Sequence, residues 1–204
     1  GGPMLALVLH GLDPMLAADP AGPLAPLLAA NAPITLVAPI AHLTDPEIGA
    51  RLRAIGVDLV VEADPRADLG AIAALGAVAV LPVSGDGRPI SMSAVRRFLT
   101  GMRNKGLALF NPAPGGGPTA RMAMNMGLQA VDSMQRVEIR SEANMAALRS
   151  SLDRAAFDAR KHGGAAIEIW ATDAAIAEAA AWFAAASTAT ASPATVSALL
   201  QQRR

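Results

Sequence analysis

A parallel β/α architecture is the fold this sequence predicts, and three observations predict it. Short apolar runs of strand length recur along the whole chain. Amphipathic or alanine-rich stretches of helix length separate them. Strand followed by helix, about seven times over, requires parallel strands joined by crossover helices. Periodicity leaves an open α/β sheet and a closed β/α barrel both standing.

The strands are expected at 5–10 (LALVLH), 34–38 (ITLVA), 57–62 (VDLVVE), 77–82 (AVAVLP), 107–110 (LALF), 128–131 (LQAV), 165–170 (AAIEIW) and 194–196 (ATV), with 136–139 (RVEI) as a further candidate. The clearest helix is 141–161, where Met145, Leu148, Leu152, Ala155 and Ala159 recur at helical spacing. Arg149/Asp153 and Arg154/Asp158 are spaced for four-apart ion pairs on its wet side, with Ser141 as N-cap and Gly163 as stop. The stretch 93–105 places Val95, Phe98, Leu99 and Met102 on one face, and its arginines Arg96, Arg97 and Arg103 read as a solvated face. Residues 173–186 are alanine-rich and helical, though broken by Asp173 and Glu178, and alanine is too weakly apolar for a membrane span. No internal repeat or domain linker is apparent. The reading is one domain over 5–200, a remnant or linker "GGPM" at 1–4, and a tail at 201–204.

Composition bounds the function. A 204-residue chain, 52% hydrophobic, is large enough for a full core without covalent staples. Seventeen basic residues balance seventeen acidic ones, so the electrostatic footprint of a nucleic-acid binder is missing. Without cysteine there is no disulfide, thiolate metal site or cysteine nucleophile, and neither cytosol nor periplasm is excluded. The apolar run 4–9 is too short for a signal core, so an exported protein is expected to have carried a further N-terminal segment, with or without a membrane anchor.

In parallel α/β folds ligands bind at the carboxyl ends of the strands. That rule selects His10 and Asp13, His42, Asp64, Ser84 and Asp86, Asn111, Asp132, Trp170 and Asp173. Each has a plainer reading. Asp13, Asp45 and Asp64 each precede proline, a pattern of turn or helix-start punctuation. "SGDGRP" at 84–89 reads first as a turn. "NPAPGGGPTAR" at 111–121 has the glycines of a phosphate cradle but no Gly-Lys-Ser/Thr ending, and Pro118 fits a helix start. His162 sits in the tail of the long helix, where its interaction with the dipole accounts for it. No Gly-x-Ser-x-Gly elbow supports a serine triad. Trp170 reads as a core plug ahead of a sugar-stacking platform.

The opening strand "LALVL", the passage "RNKGLALFN", the strand "MGLQAV" with the long "SEANMAALRSSLDRAAFDARKHGGAAIEIW" segment after it, and the closing "ATVSALL" stand in an order and spacing that resemble the divergent polysaccharide deacetylases of the bacterial envelope. The resemblance implies an irregular (β/α)7-type barrel in a single domain, a periplasmic or extracytoplasmic location, and a metal-assisted deacetylation site. That site is where the chain departs. His10 and Gly11 stand in the places of the family's first-strand aspartates, and Val83 in that of its fourth-strand histidine. Asn111 matches the fifth-strand aspartate, and Ala171 and Asp173 the closing histidines. Deacetylation needs a divalent cation and a base, and these replacements remove ligands outright.

The expectation is therefore a non-catalytic member of the class that binds a glycan or an envelope protein, without nucleic acid and without a cofactor, and acts in peptidoglycan remodelling or division. The cleft residues would be His10, Asp13, Asp64, Ser84, Asp86, Asn111, Trp170 and Asp173. The alternative is an active N-deacetylase whose zinc is held by a rebuilt set of His10, Asp86 and Asp173.

Overall fold

A computed structural model describes residues 2–12, 19, 21–85, 90–112, 117–138, 144–185 and 191–202. Seven parallel strands close into a barrel: β1 (Met4–His10), β2 (Ile34–Pro39), β3 (Val57–Ala63), β4 (Ala79–Pro82), β5 (Ala108–Asn111), β6 (Ala130–Val137) and β7 (Gly164–Trp170). Each pairs with the next in sequence, and β1 pairs with both β7 and β2 to close the ring. The helices are α1 (Ala21–Ala29), α2 (Ile48–Ala54), α3 (Leu69–Ala74), α4 (Met92–Asn104), α5 (Pro118–Asn125), α6 (Met145–His162) and α7 (Asp173–Ala185). The expected (β/α)7 barrel is the observed fold, and the open-sheet alternative falls.

The seam between β1 and β2 is irregular. Along its upper half Leu7–Leu9 of β1 pair with Ile34–Leu36, whereas along its lower half Met4–Ala6 pair with a short eighth strand, β8 (Ser192–Ala194). The sequence reading placed this strand at 194–196. In the structure it ends at Ala194, because the Thr195 hydroxyl accepts the Ala198 N–H and starts α8 (Val196–Gln202). This last helix is tied under the barrel by two inward side chains: Thr35 accepts the Val196 N–H at 3.0 Å and Asp58 accepts that of Ser197 at 2.7 Å.

Two apolar sets follow from strand alternation. Ala6, Val8, Val37, Val60, Leu81, Phe110 and Ala166 point into the lumen, closed below by Val196, Leu199 and Leu200. Leu5, Leu7, Leu9 and their counterparts point out against the helices. Many lumen residues are alanine or valine, as a narrow seven-stranded ring requires.

Several local expectations change. The stretches 128–131 and 136–139 overlap the two ends of one strand, β6, which carries a register irregularity between Ser133 and Arg136. The polar sequence between them masked its continuity. Arg149 does not pair with Asp153: it reaches across to Glu178 of α7, and Asp153 instead accepts the indole N–H of Trp182 at 2.8 Å. Packing of α6 on α7 offers both groups partners less exposed than each other. No ion pair joins Arg154 to Asp158 among the described residues. Pro118 does open α5, and Gly163 ends α6 in the left-handed conformation at φ 84°. Ser141 lies outside the described residues.

Candidate functional site

The upper, carboxyl end of the barrel is where the lumen turns polar. On β1 the inward series Ala6, Val8 ends in His10, and on β7 the series Ala166, Glu168 ends in Trp170. The two strands are in register, with His10 opposite Trp170 and Val8 opposite Glu168. The inward series of β3 runs Asp58, Val60, Glu62, and Glu62 stands opposite Pro39. On β6 the irregularity fits three residues against two of β7, so that Ser133 meets Ala166 and Arg136 meets Glu168. The bulge thereby aims an arginine at the site.

These side chains form one network. His10 Nε2 lies 2.7 Å from Glu168 Oε1, and its Nδ1 lies 3.4 Å from Glu62 Oε1. Arg136 Nη2 donates to the same Glu168 oxygen at 3.0 Å. His10 and Glu168 are buried, while Glu62 and Arg136 are partly exposed to the mouth. Burial works against a charged imidazole, but hydrogen bonds to Glu168 and Glu62 outweigh it and hold the His10 pKa above its ordinary 6.5. Burial likewise opposes the Glu168 carboxylate, and the hydrogen bonds from His10 and Arg136 outweigh it and hold that pKa below its ordinary 4.5. Both shifts favour the charged forms, an imidazolium against a carboxylate. Glu168 Oε2 has no hydrogen-bond partner among the described residues.

Trp170 is not the core plug expected of it. It is 46% exposed at the rim, its ring within 9° of parallel to that of His10 with centroids 6.3 Å apart. Its other neighbour is Gly11, at φ 83°, where a Cβ would fall 2.8 Å from the indole Cε2. Only glycine suits both that conformation and that approach. The indole is thus set close against the end of β1 while remaining 46% exposed.

The remaining candidates are dispersed. Asp64 is held by Arg66 through two contacts of 2.7 and 2.8 Å and accepts the Gly85 N–H at 3.1 Å, which together hold its carboxyl well below the usual range. It also accepts the Arg66 N–H, the turn role its Asp-Pro context foretold. Ser84 lines a cleft of about 480 Å³ between β4 and α4, among apolar residues. Asn111 donates to Asp132 at 2.9 Å, and alternation from the inward Phe110 and Val131 puts both on the helix side of the wall. Asp173 is exposed in the first turn of α7. His42 is exposed after β2. Asp13 and Asp86 lie outside the described residues. Of the candidate residues, His10 and Trp170 are brought together.

Glu168, Glu62 and Arg136 were not selected by the strand-end rule, which looks past the strand instead of along its inner face. The signal was a glutamate inside the apolar run "AAIEIW", two positions before Trp170 and hence on the same face. Among the described residues no group of three or more His, Asp or Glu side chains could hold a metal ion.

No family model matches the chain, and no curated protein matches it. Solved structures do. An uncharacterized protein, ATU2773, from Agrobacterium tumefaciens C58 is similar over 97% of this chain and 89% of its own, at 16% identity and a TM-score of 0.71. A D-psicose 3-epimerase from Clostridium cellulolyticum H10, solved with D-tagatose, aligns over 88% of this chain and 98% of its own, at 9% identity and a TM-score of 0.50. At these identities the likeness extends to the barrel fold alone.

Proposed function

We propose that the chain is a non-catalytic, polysaccharide-deacetylase-like barrel that binds a glycan at its mouth in the bacterial envelope and thereby regulates peptidoglycan remodelling or division. The observation that carries this reading is the half-exposed indole of Trp170, laid flat over Gly11 beside a ring of hydrogen-bonding side chains. A sugar ring stacks its C–H face on such a platform while its hydroxyls find Glu62 and Arg136.

A catalytic metal does not fit the donor set described. A metal-ligating histidine must be neutral with a free ring nitrogen. His10 directs one nitrogen to Glu168 and the other to Glu62, and both contacts favour its protonated form. Periplasmic location, with an anchor supplied by a further N-terminal segment, belongs to the same proposal. Among the described residues no helix is long and apolar enough to cross a membrane.

The test uses Trp170 as its own reporter in a W182F background, because the chain has two tryptophans. Titration with N-acetylglucosamine oligomers and soluble peptidoglycan fragments should change its fluorescence saturably, and W170A should weaken binding measured by calorimetry about tenfold or more. No response to any of these glycans overturns the glycan reading. Stoichiometric zinc binding lost in H10A, together with acetate release from the oligomers, overturns the non-catalytic one.

A further inference from the structure

Between Asp86 and Asp132 the sequence contains no acidic residue, yet it carries six of the chain's seventeen basic ones: Arg88, Arg96, Arg97, Arg103, Lys105 and Arg121. In a protein of zero net charge this quarter is strongly cationic, and the rest carries the compensating excess of acid. Folding gathers the charge on one side. Arg96, Arg97, Arg103 and Lys105 are exposed on or just after α4, and Arg121 is exposed on the neighbouring α5. Arg103 is anchored to the carbonyl of Met126 at 2.9 Å, whereas Arg96 and Arg97 have no side-chain hydrogen bond or ion pair among the described residues.

The same side is hollow. A cleft of about 480 Å³ at the start of α4 is walled by Val83, Ile90, Met92, Val95 and Phe98. A second, of about 400 Å³, runs along the Arg97 flank over Leu69 and Ala94, and a third, of about 480 Å³, along the Arg96 flank to Met122. Met92, 48% exposed, sits on the rim shared by the first and third. Arg96 and Arg97, without a side-chain partner among the described residues, therefore line hollows that also present apolar walls.

We propose that this face of α4 and α5 docks an acidic peptide segment of a protein partner, with apolar side chains in the hollows and carboxylates on Arg96 and Arg97. Charge complementarity selects the sign of the partner, since arginine forks pair carboxylates bidentately. Shape selects a peptide. Discrete concave clefts accept side chains one at a time, whereas a bilayer is met by apolar groups that protrude. Single-stranded nucleic acid would want exposed aromatics to stack on, and Phe98, the aromatic in these walls, is buried. The hollows and the two arginines share no residue with the His10, Glu62, Glu168, Arg136 and Trp170 cluster, so the proposal stands whether or not the glycan reading does.

The test is selection of a random-peptide phage library on the whole chain, followed by anisotropy titration of the selected peptides. Enrichment of Asp and Glu around Leu, Met, Ile or Phe is expected, with binding weakened at least tenfold in R96E/R97E and in M92D, weakened by salt, and unaltered in R154E on α6. The arginines are exposed and have no side-chain partner among the described residues, so R96E/R97E should keep its melting midpoint and its Trp170 glycan response. Selected peptides without acidic bias, or binding indifferent to R96E/R97E, overturn the proposal. So does arginine-dependent binding to phosphatidylglycerol vesicles with no peptide selected, which would make the face a membrane contact.

Discussion

His10 and Glu168 face each other across the β1–β7 ladder two residues out of register, and their contact of 2.7 Å ties an imidazolium to a carboxylate that has no solvent exposure. Stability should follow their protonation. The His10 pKa is raised on folding, so its contribution is complete below 6.5 and is lost as pH rises through the higher folded value. The Glu168 pKa is lowered on folding, so its contribution is complete above 4.5 and is lost as pH falls through the lower folded value. Urea unfolding across pH 3 to 9, a range of about six units chosen to span both ordinary values, should show a plateau between 4.5 and 6.5 with a decline on either side. H10N should flatten the alkaline decline and weaken the acid one as well, because His10 is the main group holding the Glu168 pKa down.

Removing one partner of a buried pair strands the other. Glu168→Ala should cost about 3–5 kcal/mol, because Arg136 and His10 lose their counter-charge at the top of the lumen. The double variant H10L/E168L should recover much of that loss, since an apolar pair needs no compensation. Denaturant melts of the three variants check both statements, and additive losses would show that the contact is not the source.

Gly11→Ala should destabilise by about 2 kcal/mol, combining the left-handed backbone conformation with a Cβ driven against the indole. The indole should also be displaced, shifting Trp170 emission in a W182F background. In G11A/W170A the collision is gone, so the combined cost should be less than the sum of the single ones.

Trp182→Phe removes the hydrogen bond to Asp153 that joins α7 to α6, while Phe183 keeps an aromatic neighbour at the position. The expected loss is about 1–2 kcal/mol in thermal or urea unfolding.

The alternation of strand and helix was legible in the sequence because each strand buries a run of apolar residues and each helix repeats at its own period. Legibility ended where one face of a strand changes character. Lumen-facing Glu62 and Glu168 interrupt apolar strands, and the interruption marks the site only once the inner face is followed residue by residue. Arg136 lay beyond such counting altogether. The bulge in β6 shifts the alternation by one, so no fixed period carries Ser133 and Arg136 to the same face. His10 and Trp170 were visible as strand ends, yet their juxtaposition depends on the parallel register of β1 and β7, which is a tertiary fact.

The seam where Met4–Ala6 meet Ser192–Ala194 gives the barrel a sequence of assembly. Strands β2 to β7 find partners adjacent in sequence, so they can pair as short loops close. The lower half of one edge of β1 cannot be covered, nor the lumen floored by Val196, Leu199 and Leu200, until β8 and α8 arrive. A nascent chain lacking those residues holds a ring with an uncovered half-edge on β1 and an unsealed apolar base, vulnerable to aggregation and proteolysis. Helix α8 is the latch that makes the polar mouth at the opposite end a rigid object.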